Sequence, residues 1–227
     1  MPEQYYINQL YPLQDKILHV LAQKGLSFYL TGGTVLSRSY LHHRYSDDLD
    51  FFLNNSPDFR KETSLAVETI KQSCNKVEIA LADENFLRLF LVDNNVTLKV
   101  EFINDVTFHA GEIIATPLYY RTDNKENILS NKISALSRNE EKDIADILFL
   151  SMDFDFSWPE IISFAKEKDM WVNELDVSKH IHDFEISRLE NVKWIKRPVI
   201  EHLNDLRLKI SRDILNAANN ISASNKI

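Results

Sequence analysis

FYLTGGTVLSRSYLHHRYSDDLDFFL, residues 28–53, decides how the rest of the chain is read. It opens on a short apolar run, Phe28-Tyr29-Leu30, with the character of a buried strand. The run stops at Thr31-Gly32-Gly33-Thr34 and resumes as Asp47-Asp48-Leu49-Asp50-Phe51-Phe52. Side chains alternate between the faces of a strand, so Asp48 and Asp50 point one way and Leu49 and Phe51 the other, into the core. Two carboxylates on so apolar a strand are costly unless their charge is compensated. A divalent cation is the simplest compensation, and hard cations such as Mg²⁺ take oxygen ligands and keep phosphates as co-ligands.

The chain has only four glycines, and two of them stand together here. Glycine admits positive φ and lets the backbone approach a ligand closely. Thr34 is placed to cap a helix through Leu36, Ser37, Tyr40 and Leu41. The N–H groups at such a helix start, beginning at Gly33, form an anion site. Gly32, Gly33, Thr34 and Arg38 are therefore candidate nucleotide-binding residues, with Asp48 and Asp50 on the metal. The competing reading is a plain strand–turn–helix with a solvated acidic turn.

Apolar residues at Tyr6, Leu10, Leu13, Ile17, Val20 and Leu21 have helical spacing that Gly25 ends. Asn54-Asn55-Ser56-Pro57 supplies a turn, an N-cap and an N1 proline for a helix through Leu65, Val67, Ile70 and Cys74. Val77–Leu81 reads as a strand. Phe86–Val92 and Val96–Ile103, joined by Asp93-Asn94-Asn95, read as a hairpin. In its second strand Lys99, Glu101 and Ile103 share a face, which makes Glu101 a lone strand carboxylate like Asp48 and Asp50. It could equally be an edge-strand glutamate paired with Lys99 or Arg88. Gly111 and Pro117 bracket a domain junction, giving an α/β domain over 1–115 and a helical domain over 116–227. Asp123-Asn124-Lys125-Glu126 has capping-box form, and helices are expected over 124–137, 139–152, 158–168, 179–189 and 198–218. The polar tail, Asn219–Ile227, is expected to fray.

A hydrophobic fraction of 44% supports a real core, and a net charge of −8 argues against a generic, electrostatically sticky nucleic-acid binder. Cys74 is the only cysteine, so no intramolecular disulfide forms. His42-His43 and His180/His182 lack metal-ligand spacing. With no signal-type segment and no run of about 18 apolar residues, a cytoplasmic protein without membrane association is expected.

The order strand, Gly-Gly-Thr, helix, Asp-x-Asp resembles the nucleotidyltransferase superfamily, and YLTGGTVLSRSYLHHRYSDDLDFF resembles the AbiEii/AbiGii-type toxin branch. The GxGxxG and GxxxxGK[ST] phosphate loops are absent. The resembling fold, a mixed sheet with helices, carries a third carboxylate, usually aspartate in a sequence like Lys-Val-Asp-Phe; here the words are Lys99-Val100-Glu101-Phe102. A Lys132-Ile133-Ser134-Ala135-Leu136 segment followed by Lys142-Asp143-Ile144-Ala145-Asp146-Ile147 is similar to the later motifs of the same family. Lys142, Asp143 and Asp146 fall on one helix face, which on its own reads as a solvated, ion-paired surface; the resemblance makes them candidate nucleotide-binding residues. The resemblance covers about residues 25–150.

It implies a metal-dependent transferase with Asp48 and Asp50 on Mg²⁺ or Mn²⁺, and Glu101 helping to bind a second such ion or deprotonating the attacking hydroxyl. An exposed Lys132, reaching across the domain junction, and Lys142 would meet the triphosphate. It also implies the toxin half of a type IV toxin–antitoxin pair, with an RNA acceptor such as tRNA and a cognate antitoxin as partners. Two other readings stand beside it: a catalytically inactive binding protein on the same fold, favoured by glutamate at position 101, and a nucleotidyltransferase acting on a small molecule such as an antibiotic.

Overall fold

A computed structural model describes residues 2–222. The chain forms two compact units, one of residues up to Thr107 together with Glu112–Asn124, the other of Phe108–Gly111 together with the chain from Lys125 onward. The irregular stretch 112–124 thus packs with the sheet-bearing unit, where Thr122 bridges Leu30 and Ile114.

The first unit begins with α1, a continuous helix made of Pro2–Tyr5, a wider π turn at Tyr6–Leu10, and Tyr11–Ala22. Then come β1 (Tyr29–Thr31), α2 (Gly32–Val35, continued by a π turn at Leu36–Tyr40), β2 (Leu49–Asn54), α3 (Phe59–Lys71), β3 (Lys76–Ala82), β4 (Phe86–Asp93) and β5 (Val96–Asp105). The five strands form one mixed sheet in the order β1-β2-β5-β4-β3. Only β2 and β5 run parallel; the other pairs are antiparallel. The β4–β5 hairpin turns at Asn94 and Asn95, both at positive φ, the pattern of a two-residue turn whose twist matches the strands.

Alternation sorts the sheet into two faces. Leu49, Phe51, Leu87, Leu89, Leu91, Leu98, Val100 and Phe102 are buried. Phe28 meets Phe102 and Phe59 edge-on at 4.9 and 6.0 Å, and Phe51 stacks on Phe102 at 5.2 Å. Burying such a ring contributes about 1.5–3 kcal/mol relative to exposure. The opposite face carries Asp50, Glu101, Lys99 and Arg88, all half-buried.

Two helices differ in their bounds from expectation. The helix after β2 starts at Phe59, not Pro57, and ends at Lys71 before Cys74; Ser56 instead closes a tight turn, its oxygens accepting from Asp58 N and Phe59 N. Asp123 is fully buried, and its carboxylate accepts from Thr31 Oγ1 at 2.5 Å. The expected helix at 179–189 is displaced to Glu174–Asp183, where Asn173 caps by accepting from Asp176 N.

The second unit is helical: α4 (Lys125–Ser134) with a 3₁₀ turn Ala135–Arg138, α5 (Glu141–Asp153), α6 (Trp158–Lys166), α7 (Glu174–Asp183), a 3₁₀ turn Ile186–Asn191, and α8 (Ile200–Leu215). Two short strands, β6 (Phe156–Ser157) and β7 (Asn219–Asn220), pair antiparallel. The tail is therefore anchored at its start: Asn220 is buried and donates to the carbonyls of Ser151 and Phe154. Residues 223–227 of the tail expected to fray lie outside the described residues. Among the described residues no helix is long and apolar enough to cross a membrane.

Candidate active site

The glycine turn comes first, because it fixes where the carboxylates can go. Gly32 has φ +73°, and a Cβ there would lie 2.7 Å from Asp50 Oδ2. Glycine is thus required both by the backbone conformation and by the carboxylate pressed against it. A Cβ at Gly33 would lie 2.6 Å from the Arg44 guanidinium and 3.0 Å from Ser46 Oγ. The pair sits between an acid and a buried base. Gly32→Ala should cost about 1–3 kcal/mol from strain and displace Asp50; denaturant unfolding would measure it, and an unchanged midpoint would contradict the packing described.

Thr34 is not the helix cap. Helix α2 begins at Gly32 after an extended Thr31 whose side chain makes no capping bond. Thr34 Oγ1 donates to the Asp48 carbonyl and lies 3.1 Å from Ser46 Oγ, tying the helix to the segment before β2. The first-turn N–H groups of α2 have no preceding helical carbonyl to serve.

The sheet register then assembles the acids. In the parallel β2–β5 pair Asp50 stands beside Glu101, so both share one face, with Asp48 just ahead of β2. Lys99 Nζ lies 2.9 Å from Asp48 Oδ2 and 3.4 Å from Glu101 Oε1. Arg88 Nε donates to Glu101 Oε1 at 2.6 Å. Burial alone would raise the Glu101 carboxyl, but the Lys99 charge and the Arg88 hydrogen bond outweigh it and hold it below the usual carboxylate range. Burial likewise works against the Lys99 ammonium, yet the bond it donates to Asp48 and the surrounding carboxylates raise it above the ordinary lysine value. β5 is a central strand, so Glu101 is not the edge-strand residue considered from sequence, although both suggested pairings occur.

Among the described residues no three His, Cys, Asp or Glu side chains stand grouped to hold a metal ion. The physical reason is visible: an ammonium already occupies the space between Asp48 and Glu101. The donors themselves fit a hard divalent cation, being oxygen atoms only, on one face, and already holding a positive charge. A divalent ion taking all three would require Lys99 to swing aside.

Arg38 is engaged elsewhere. Its guanidinium reaches Asp15 at 2.6 Å and Gln14 at 3.1 Å and lies over the Tyr11 ring at 4.4 Å, which fastens α2 to α1. The later motif also differs from expectation. Lys132 is not exposed: only 9% of it is accessible, and it pairs with Asp143 at 2.6 Å and Asp146 at 2.7 Å. Asp143 and Asp146 face the interior of the helical unit, whereas Lys142 is exposed, so the three do not share a face.

Lys99 was read from sequence as a possible partner of Glu101, on the same strand face; Arg44 had no role in the sequence reading. Arg44 lies in the irregular segment between α2 and β2, where no periodicity orients a side chain.

Residues 17–217 match the nucleotidyl transferase AbiEii toxin family of type IV toxin–antitoxin systems, well beyond the 25–150 stretch that carried the resemblance. Among curated proteins none matches significantly. Two solved structures from Helicobacter pylori share the fold. JHP933 has a TM-score of 0.61 at 18% identity, over 91% of this chain and 90% of that one. A protein described as a candidate nucleotidyltransferase has a TM-score of 0.60 at 17% identity, over 89% and 93%. With the match spanning both units, the chain belongs to the nucleotidyl transferase AbiEii toxin family.

Proposed function

We propose that the protein transfers a nucleotidyl group from a nucleoside triphosphate to a hydroxyl acceptor, with Asp48 and Asp50 holding Mg²⁺ or Mn²⁺ and Glu101 completing the set. The observation that carries this is the side-by-side register of Asp50 and Glu101 next to a glycine turn in which Gly32 holds positive φ against Asp50. The acceptor oxygen attacks the α-phosphorus, the bond from that phosphorus to the bridging oxygen breaks, pyrophosphate leaves, and the hydroxyl proton passes to solvent. Bound there, the cation would neutralise charge on the phosphate oxygens as it builds. Glu101, an oxygen donor in register with Asp50, would serve as a ligand. The first-turn N–H groups at Gly32, Gly33 and Thr34 supply anion contacts. The resemblance assigns Lys132 to the triphosphate as well; that role requires Asp143 and Asp146 to give up its ammonium to phosphate oxygens. Family membership further supports a toxin that acts on RNA such as tRNA in the cytoplasm, opposed by a cognate antitoxin.

A thermal-shift titration tests the reading. Mg²⁺ and a nucleoside triphosphate together should raise the melting temperature more than either alone, because ligands of the native state stabilise it. Asp48→Asn should keep the fold and lose that joint shift. A joint shift of wild-type size in Asp48→Asn would move the nucleotide site elsewhere.

A further inference from the structure

The carboxylate face of the sheet continues past Glu101. Following the register outward, Asp50 stands beside Glu101, Glu101 beside Arg88, Lys99 beside Phe90, and Ile103 beside Phe86. Adjacent strands are about 4.8 Å apart, so Phe86, Arg88 and Phe90 lie one strand away from the acids. All three are only half-buried, unlike Leu87, Leu89 and Leu91, which alternate with them and are buried against the core. The Arg88 guanidinium is doubly oriented: Glu101 fixes its Nε, and its carbon sits 5.3 Å from the centre of the Phe86 ring. Two aromatic rings and a planar cation therefore share one face of a single strand, continuous with the reactive carboxylates through the Arg88–Glu101–Lys99–Asp48 contacts.

Half-buried aromatic rings four residues apart on one face of a strand, with a guanidinium between them, present a surface on which unpaired bases stack. A base stacks on an aromatic ring and on a guanidinium plane alike. We infer that Phe86, Arg88 and Phe90 form a nucleobase-stacking platform, placing a base beside the carboxylates that handle its phosphate. This rests on the nucleotidyl-transfer reading for the meaning of the neighbouring acids, but not for the stacking itself. The base can belong to the incoming triphosphate or to a single-stranded oligonucleotide acceptor.

Calorimetric titration of Phe86→Ala, Phe90→Ala and Phe90→Trp separates the cases, with three probes. These are the four nucleoside triphosphates with Mg²⁺, inorganic tripolyphosphate with Mg²⁺, and a ten-nucleotide single-stranded RNA in chelator. Each alanine variant should weaken a base-carrying probe about tenfold, the loss of one stacking contact, and Phe90→Trp should restore it. Tripolyphosphate, which has no base, should bind all variants alike. A loss confined to triphosphates places the donor's base on the platform; a loss confined to RNA places the acceptor's. Unchanged affinity for both, equal weakening of tripolyphosphate, or a wild-type protein that binds neither base-carrying probe overturns the platform. Failure of the transfer reading is seen separately, as loss of the Mg²⁺-dependent, Asp48-dependent shift while RNA binding in chelator still depends on Phe90.

Discussion

Lys132→Met is expected to destabilise the protein by about 3–5 kcal/mol, the cost of breaking a buried ion pair and stranding its partners. The lysine is held by Asp143, 3% exposed, and by Asp146, fully buried. Removing the ammonium takes away the shared cation of two interior carboxylates on one turn of α5, and methionine fills the space without supplying a donor. Because the cost lies in the stranded acids, Lys132→Met combined with Asp143→Asn and Asp146→Asn should recover part of the loss, the non-additivity expected of a shared network. Urea unfolding of the single and triple variants measures both. A single variant within about 0.5 kcal/mol of wild type, the range of an ordinary surface substitution, would mean that the lysine is not holding the interior acids.

Lys99→Met should act in the opposite way on metal. In chelator the variant should lose about 2 kcal/mol, as when a charged hydrogen-bond donor is removed from partly buried acceptors. Asp48 and Glu101 then face each other, with Asp50 nearby, without the ammonium between them. Adding Mg²⁺ should restore stability and bind more tightly than in the wild type, because the ion no longer competes with an internal cation. The readout is melting temperature against Mg²⁺ concentration, with no turnover needed. If Lys99→Met responds to Mg²⁺ no more strongly than wild type, these carboxylates are a structural ion-pair network.

The strands and the site face were legible because alternation is a strong signal. Leu49/Phe51 against Asp48/Asp50, and Val100/Phe102 against Lys99/Glu101, follow directly from period two, and the structure keeps every one of these assignments. The glycine pair was legible as a turn, but which glycine carries positive φ, and what crowds each Cα, depends on Asp50 and Arg44 arriving from elsewhere in the chain. Tertiary demand also overrode a local signal: Lys132, expected to be exposed, is buried. Charged residues at helical spacing read as surface, and nothing local reports that α4 and α5 turn a lysine and two aspartates toward each other to satisfy their charge inside.

The central claim is that Asp48 and Asp50 hold the cation on which nucleotidyl transfer depends. It is tested most directly by following label from the α-phosphate of each nucleoside triphosphate into RNA or into low-mass acceptors, for wild type and Asp50→Asn, with Mg²⁺ and with chelator. Wild type should transfer label only with the metal, and Asp50→Asn should fall by about 10²-fold or more while remaining folded, the scale seen when one element of charge stabilisation is lost. Transfer by Asp50→Asn at the wild-type rate, or equal transfer by wild type in chelator, would contradict the claim.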